Sequence, residues 1–171
     1  MKKNIKKYAI QENTQDLVNE PFAVLYNSNP SISIWNFSIS GNEIPLNKMT
    51  SFEKMTLLNV GIKKNDLEQF KSKTHLDYDK LAQALAVTRA TLINKKQNEV
   101  YSENISEKIL ALTDLYSFGY EVFEDVEKFN AWMFASNNAL AGKKPFDIVD
   151  NQFGREEIKN ILGRIEYGIY S

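Results

Sequence analysis

The sequence of 171 residues contains no cysteine and a single histidine, His75. Without cysteine there are no disulfides, no thiolate metal ligands and no cysteine nucleophile, so bridge-dependent extracellular scaffolds are excluded. One histidine without cysteine cannot assemble the usual zinc sites and leaves little choice of general base near neutral pH. No run of about 18 apolar residues exists, the minimum for a membrane-spanning helix. The opening Met-Lys-Lys-Asn-Ile-Lys-Lys resembles the start of a secretion signal, but residues 8–21 mix Gln, Glu, Asn and Asp where an apolar stretch belongs. The expected location is the cytoplasm, with no membrane contact. Phosphate-cradling glycine loops are missing too.

Hydrophobic residues make up 43% and charged residues 25% of the chain, the balance of an ordinary folded globular protein. The net charge of -1 hides a division. Residues 1–46 hold four Lys against four acidic residues. Residues 47–96 hold ten Lys or Arg against five Asp or Glu, and residues 97–171 hold seven against thirteen. A basic segment concentrates polyanions and an acidic one repels them, so the two parts should serve different partners.

Within residues 1–46, Ile32, Ile34, Trp35, Phe37 and Ile39 form a β-leaning run flanked by turn signals at Asn27 to Pro30 and at Gly41-Asn42. A hairpin or edge strand and a loosely docked arm both fit. From Thr50 onward the pattern is helical. Thr50 to Glu53 and Asn65 to Glu68 each place a capping side chain three residues before a glutamate and predict two helix starts. Two further helices are expected over about 77–85 and 88–96, separated only by Ala86 and Val87. Ser102 should cap a long helix carrying Ile105, Ile109, Leu112, Leu115, Tyr116, Val122 and Phe123 at intervals of three and four. A helix over about 125–135, a turn with Asn137, Asn138 and Gly142, a short helical piece from Pro145 and a last helix with Ile158, Ile161, Leu162 and Ile165 on one face complete the pattern.

The segment from Tyr78 to Lys96 fits a helix-turn-helix. Leu81, Leu85, Val87 and Leu92 would lock two short helices at a steep angle, with Ala82 small enough for the crossing. Thr88 would cap the second helix, leaving Arg89, Thr91, Asn94, Lys95 and Lys96 to meet a DNA major groove and its phosphates. Ala86 stands where such turns usually hold glycine, at a cost of about 1 kcal/mol if it turns left-handed. Lys95 stands where many such units bury an apolar residue. A plain helical hairpin with a solvated basic face is the alternative. The carboxylate pairs Asp77 with Asp79, Glu103 with Glu107 and Glu156 with Glu157 read as helix starts or solvated faces rather than as an active site.

The stretch from Ser106 to Ser171 resembles the toxin-binding domain of the Xre/MbcA/ParS antitoxins, in which a helix-turn-helix likewise comes first. The matching residues are Ser106 to Leu110, Val122-Phe123, Trp132, Asn137, Ala139-Leu140, Gly142, Pro145 to Asp147, Gly154 and Leu162 to Tyr170. The chain departs from the family's Trp-Leu-x-x-Pro-Asn-x-x-Leu-Gly-Gly pattern at Ser136 and Ala141, where proline and glycine are common. The resemblance implies a non-enzymatic antitoxin, without cofactor or substrate of its own, that inhibits a RES-domain NAD-degrading toxin and represses its own operon as a homodimer on operator DNA. A free-standing helix-turn-helix regulator whose C-terminal part only dimerises is the second reading.

The expected fold is therefore mainly α: an N-terminal extension over 1–46 with a short β segment, a helix-turn-helix domain over 47–101 and a small all-helical toxin-binding domain over 102–171. The toxin-contacting set implied is Trp132, Arg164, Tyr167, Gly168, Ile169, Tyr170 and Ser171. Tyrosine and arginine are enriched at interface hot spots. For Tyr167 and Ile169, folding back on the protein's own core is an equal alternative, and Trp132 at helical spacing fits a core position.

Overall fold

The computed structural model describes residues 36–39 and 42–168, with side chains described at residue 46 and over 48–168. Ile32, Ile34, Trp35 and the turn signals at Asn27 to Pro30 and Gly41 lie outside the described residues, as do Ile169, Tyr170 and Ser171. The remainder of the β-leaning run takes the hairpin form, one of the two alternatives the sequence left open. β1 (Asn36–Ile39) and β2 (Asn42–Pro45) form an antiparallel hairpin with Ile39 opposite Asn42 and Asn36 opposite Pro45. A short 3₁₀ segment, Leu46–Lys48, follows and buries Leu46.

Among the described residues, seven helices make the rest mainly α, and most begin at a side chain that accepts a free backbone N–H. Thr50 and Glu53 cap each other at the start of α1 (Ser51–Val60): the Glu53 N–H donates to Thr50 Oγ1 at 3.3 Å and the Thr50 N–H to Glu53 Oε2 at 2.7 Å. Asp77 caps α3 (Tyr78–Ala84), Thr88 caps α4 (Arg89–Ile93), Asp125 caps α6 (Val126–Met133) and Asn151 caps α7 (Gln152–Glu166). Ser102 occupies the cap position of α5 (Glu103–Phe123), but its side chain makes no capping bond.

The start of α2 (Lys64–Thr74) differs from expectation. Asn65 lies inside the helix, and Asp66 accepts the Lys63 N–H at 2.8 Å. Glu68, the expected capping partner, instead accepts from the Tyr78 hydroxyl and stands 3.7 Å from Lys64 Nζ. A carboxylate two residues nearer the helix end reaches the free donors first.

α5 is the axis of the molecule, flanked by α1, α6 and α7. One hydrophobic cluster runs from Leu46 through Leu57, Phe70, Leu81, Leu92 and Tyr116 to Ile158 and Leu162. Tyr116 is its centre, with Phe70, Tyr120 and Phe129 all edge-on at 5.3, 6.0 and 5.2 Å. The Phe129 ring reaches α5 because residue 119 is glycine: a Cβ there would lie 2.1 Å from Phe129 Cε2. Ile165 departs from the expected apolar stripe, since it is half-buried and lies outside the cluster that takes Ile158 and Leu162. α7 has left the core by its last turn.

Candidate functional site

Two surfaces carry the sequence-derived candidates. The first is α4, which is held by a compact turn after α3. Val87 N–H donates to Ala82 O and Ala86 N–H to Gln83 O, each at 3.0 Å, with Ala86 in the left-handed region at φ 48°. Leu81, Leu85 and Leu92 are buried beneath, and Val87 packs at the edge.

α4 is shorter than the sequence pattern suggests: it ends at Ile93, so Lys95 and Lys96 lie beyond the helix. The cause is the return of the chain to α2, where the Asn65 and Lys64 N–H groups donate to Gln97 O and Glu99 O at 3.1 and 3.0 Å. Lys63 then pairs with Val100 in an antiparallel bridge. A helix continued to residue 96 could not make that return. Lys64 closes the end of α4, its Nζ donating to Leu92 O at 3.1 Å and Ile93 O at 2.7 Å. The Tyr101 hydroxyl also donates to Leu92 O, at 2.9 Å. Burial, and then the charge of Glu68, pushes that hydroxyl up to about 12, so it stays a donor.

Of the six residues expected on the reading surface, Thr88, Arg89, Asn94 and Lys96 are exposed, while Thr91 and Lys95 are half-buried. Thr88, Thr91, Asn94 and Lys95 line one groove with Ala90 and Glu99. Arg89 points to the side of that groove, 3.5 Å from Asp79 of α3. Asp77 is held below its ordinary value by the hydrogen bond from the Lys80 N–H, opposed by burial and helped by the charges of Lys80 and Arg89. The surface thus combines cations with the carboxylates of Asp79 and Glu99, and sequence patterning did not single out Glu99.

The second surface lies on α6, α7 and the loop between them. The loop carries two 3₁₀ turns, Asn138–Leu140 and Pro145–Ile148. Between them Ala141 is left-handed at φ 53°, which is the conformation that favours the family's glycine there. The Ser136 hydroxyl, in place of the family's proline, donates to Gly142 O at 2.6 Å and ties the loop shut. Trp132 is half-buried, with its ring 5.8 Å from Phe129 and 5.5 Å from Phe123. It is partly core and partly surface. Arg164 is half-buried and 3.6 Å from Glu157, whereas Tyr167 is 78% exposed at the end of α7 and Gly168 follows at φ 67°. Arg164, Tyr167 and Gly168 therefore share one end of the molecule, and Trp132 stands apart on α6.

Among the described residues, no group of three or more His, Asp or Glu side chains is placed to hold a metal ion, and no helix is long and apolar enough to cross a membrane. Residues 119–168, which span the end of α5, α6 and α7, match the family model described as the antitoxin Xre/MbcA/ParS C-terminal toxin-binding domain. The chain is also 26% identical over 137 residues to the Prs ADP-ribosylating antitoxin of Sphingobium sp. (strain YBL2), covering 74% of this chain and 86% of that protein.

Proposed function

From the premise that this chain is an antitoxin of the Xre/MbcA/ParS type, we propose that it silences a toxin protein through the end of α7 and the residues after it, and represses its own operon through α4. The observation that carries the first part is Tyr167, a large aromatic left 78% exposed where the matched domain ends. Such a side chain supplies rigid contact area to a partner at little entropic cost. The chemistry belongs to the partner, read as a RES-domain enzyme that consumes NAD. The name of the Sphingobium relative couples an antitoxin to ADP-ribosylation, a transfer that cleaves the same nicotinamide bond of NAD that hydrolysis cleaves.

Operator binding rests on α4 and the segment after it, where Thr88, Arg89, Asn94 and Lys96 face solvent with Thr91 and Lys95 beside them. Two copies of the chain would read a palindrome one helical turn apart, which makes a homodimer the expected state on DNA. The divided charge and the two separate surfaces support a reading in which DNA meets the first part of the chain and the toxin the second.

The test is NAD loss by the toxin encoded beside this chain, titrated with the full antitoxin and with a form lacking Tyr167 to Ser171. The full chain is expected to stop NAD loss. The truncated form should melt at nearly the same temperature yet bind the toxin a hundredfold or more weaker, since few residues dominate such interfaces. Full inhibition by a normally folded truncation would move the contact to the Trp132 to Asp147 region. Failure of the full chain to inhibit would leave the free-standing regulator as the better account.

A further inference from the structure

We infer that the partner-binding surface is the whole outer face of α7, with Phe153 as a second anchor at the opposite end from Tyr167; this rests on the toxin-binding reading above. Within the matched span, the exposed large hydrophobics are Phe153 at 81%, in the first turn of α7, and Tyr167 at 78%, the residue that caps its C-terminal end. At about 100° per residue, positions 153, 160, 164 and 167 fall within an arc of roughly 60°. The buried residues Gly154, Ile158, Ile161 and Leu162 lie on the other side. The two rings are about 21 Å apart along the axis, at about 1.5 Å per residue.

Phe153 cannot be withdrawn by a shift of the helix. A Cβ on its neighbour Gly154 would lie 1.6 Å from Ile148 O, so the first turn of α7 rests directly on backbone, and Asn151 fixes its start by accepting the Gly154 N–H at 3.0 Å. The cations of α7 other than Arg164 turn inward: Arg155 donates to Val149 O at 3.0 Å and Lys159 to Asp114 at 2.5 Å. Glu156 and Glu166 remain exposed, and Glu157 half-exposed. The face is thus two apolar ends joined by a polar middle of Glu156, Glu157, Asn160 and Arg164, in which Arg164 stands 3.6 Å from Glu157.

A partner that fits presents a groove with two apolar pockets about 21 Å apart and polar groups between them, the arrangement by which grooves bind amphipathic helices. The occupant assigned here is the toxin. Isothermal titration of the full chain with the purified, catalytically silenced toxin encoded beside it compares Phe153→Ala with Phe52→Ala. Phe52 is equally exposed at 81% but lies on α1. Phe153→Ala is expected to weaken binding about thirtyfold, the scale of one interface hot spot, with an unchanged melting temperature. Phe52→Ala should leave the affinity unchanged. Tight binding by the wild type together with an unchanged Phe153→Ala affinity overturns the second anchor and leaves the toxin-binding reading standing. Equal weakening by both substitutions overturns the assignment to α7, and no binding by the wild type overturns both readings.

Discussion

Lys64 Nζ lies 2.7 Å from the carbonyl oxygen of Ile93, so the last residue of α4 is capped by an ammonium group that comes from the first residue of α2. A five-residue helix has almost no intrinsic stability, because nucleation fixes several residues for one hydrogen bond. α4 exists because its ends are held. Thr88 accepts the Thr91 N–H at one end, and Lys64 with Tyr101 satisfies the carbonyls at the other.

Lys64→Met keeps the apolar stem and removes the cap, leaving Leu92 O with Tyr101 and Ile93 O without its donor. A cost of about 1–3 kcal/mol is expected, the range for stranding a buried polar group. Chemical denaturation measures it. Undiminished stability would show that the Lys64 cap is not what holds the end of α4.

Arg89→Ala combined with Lys95→Ala should abolish operator binding while leaving inhibition of the toxin intact. If both cations meet phosphates, the slope of log affinity against log salt falls by nearly 2 in magnitude. A gel shift with unchanged affinity and salt dependence would remove α4 from DNA recognition.

Asp114 on α5 is held by two lysines, Lys54 of α1 and Lys159 of α7, each at 2.5 Å. Burial opposes its ionisation, but the hydrogen bonds and charges of Lys159 and Lys54 outweigh that and hold the carboxyl below its ordinary value of 3.8. The folded value being the lower one, the stabilisation is complete above the unfolded value and fades as pH falls through the folded one. Wild-type stability should drop below about pH 4 by an increment that Asp114→Asn lacks. At neutral pH the substitution should cost about 1–2 kcal/mol. Parallel stability curves for the two proteins through the acid range would show that Asp114 does not join the three helices.

The helix starts were legible because capping is local. Thr50, Asp77, Thr88 and Asp125 each sit within three residues of the N–H they accept. The turn before α4 was legible for the same reason, and Ala86 takes the left-handed conformation that its position in the pattern demanded. Two of the places where the pattern misled involve distant partners. Asn65 and Glu68 resemble a capping pair, but Asp66 caps α2 and Glu68 meets Tyr78, ten residues away. Lys95 and Lys96 continue a helical pattern, but the chain must return to residues 63–65.

The proposed partner surface divides the same way. Arg164 and Tyr167 stood out because the family motif includes them, whereas the sequence pattern did not single out Phe153. Order along the chain determined the helical fold and most of the caps, which depend on residues within a turn or two of one another, and the charge division and family resemblance, which depend on residue order alone. Which apolar side chains are covered depends on how α7 lies against α5, and that was decided by Gly154 on the Ile148 carbonyl and Lys159 on Asp114. The second contact joins residues 45 apart in the sequence, so the apolar face that holds Ile158 was legible in the helical spacing, but only the tertiary structure could show Phe153 left in solvent.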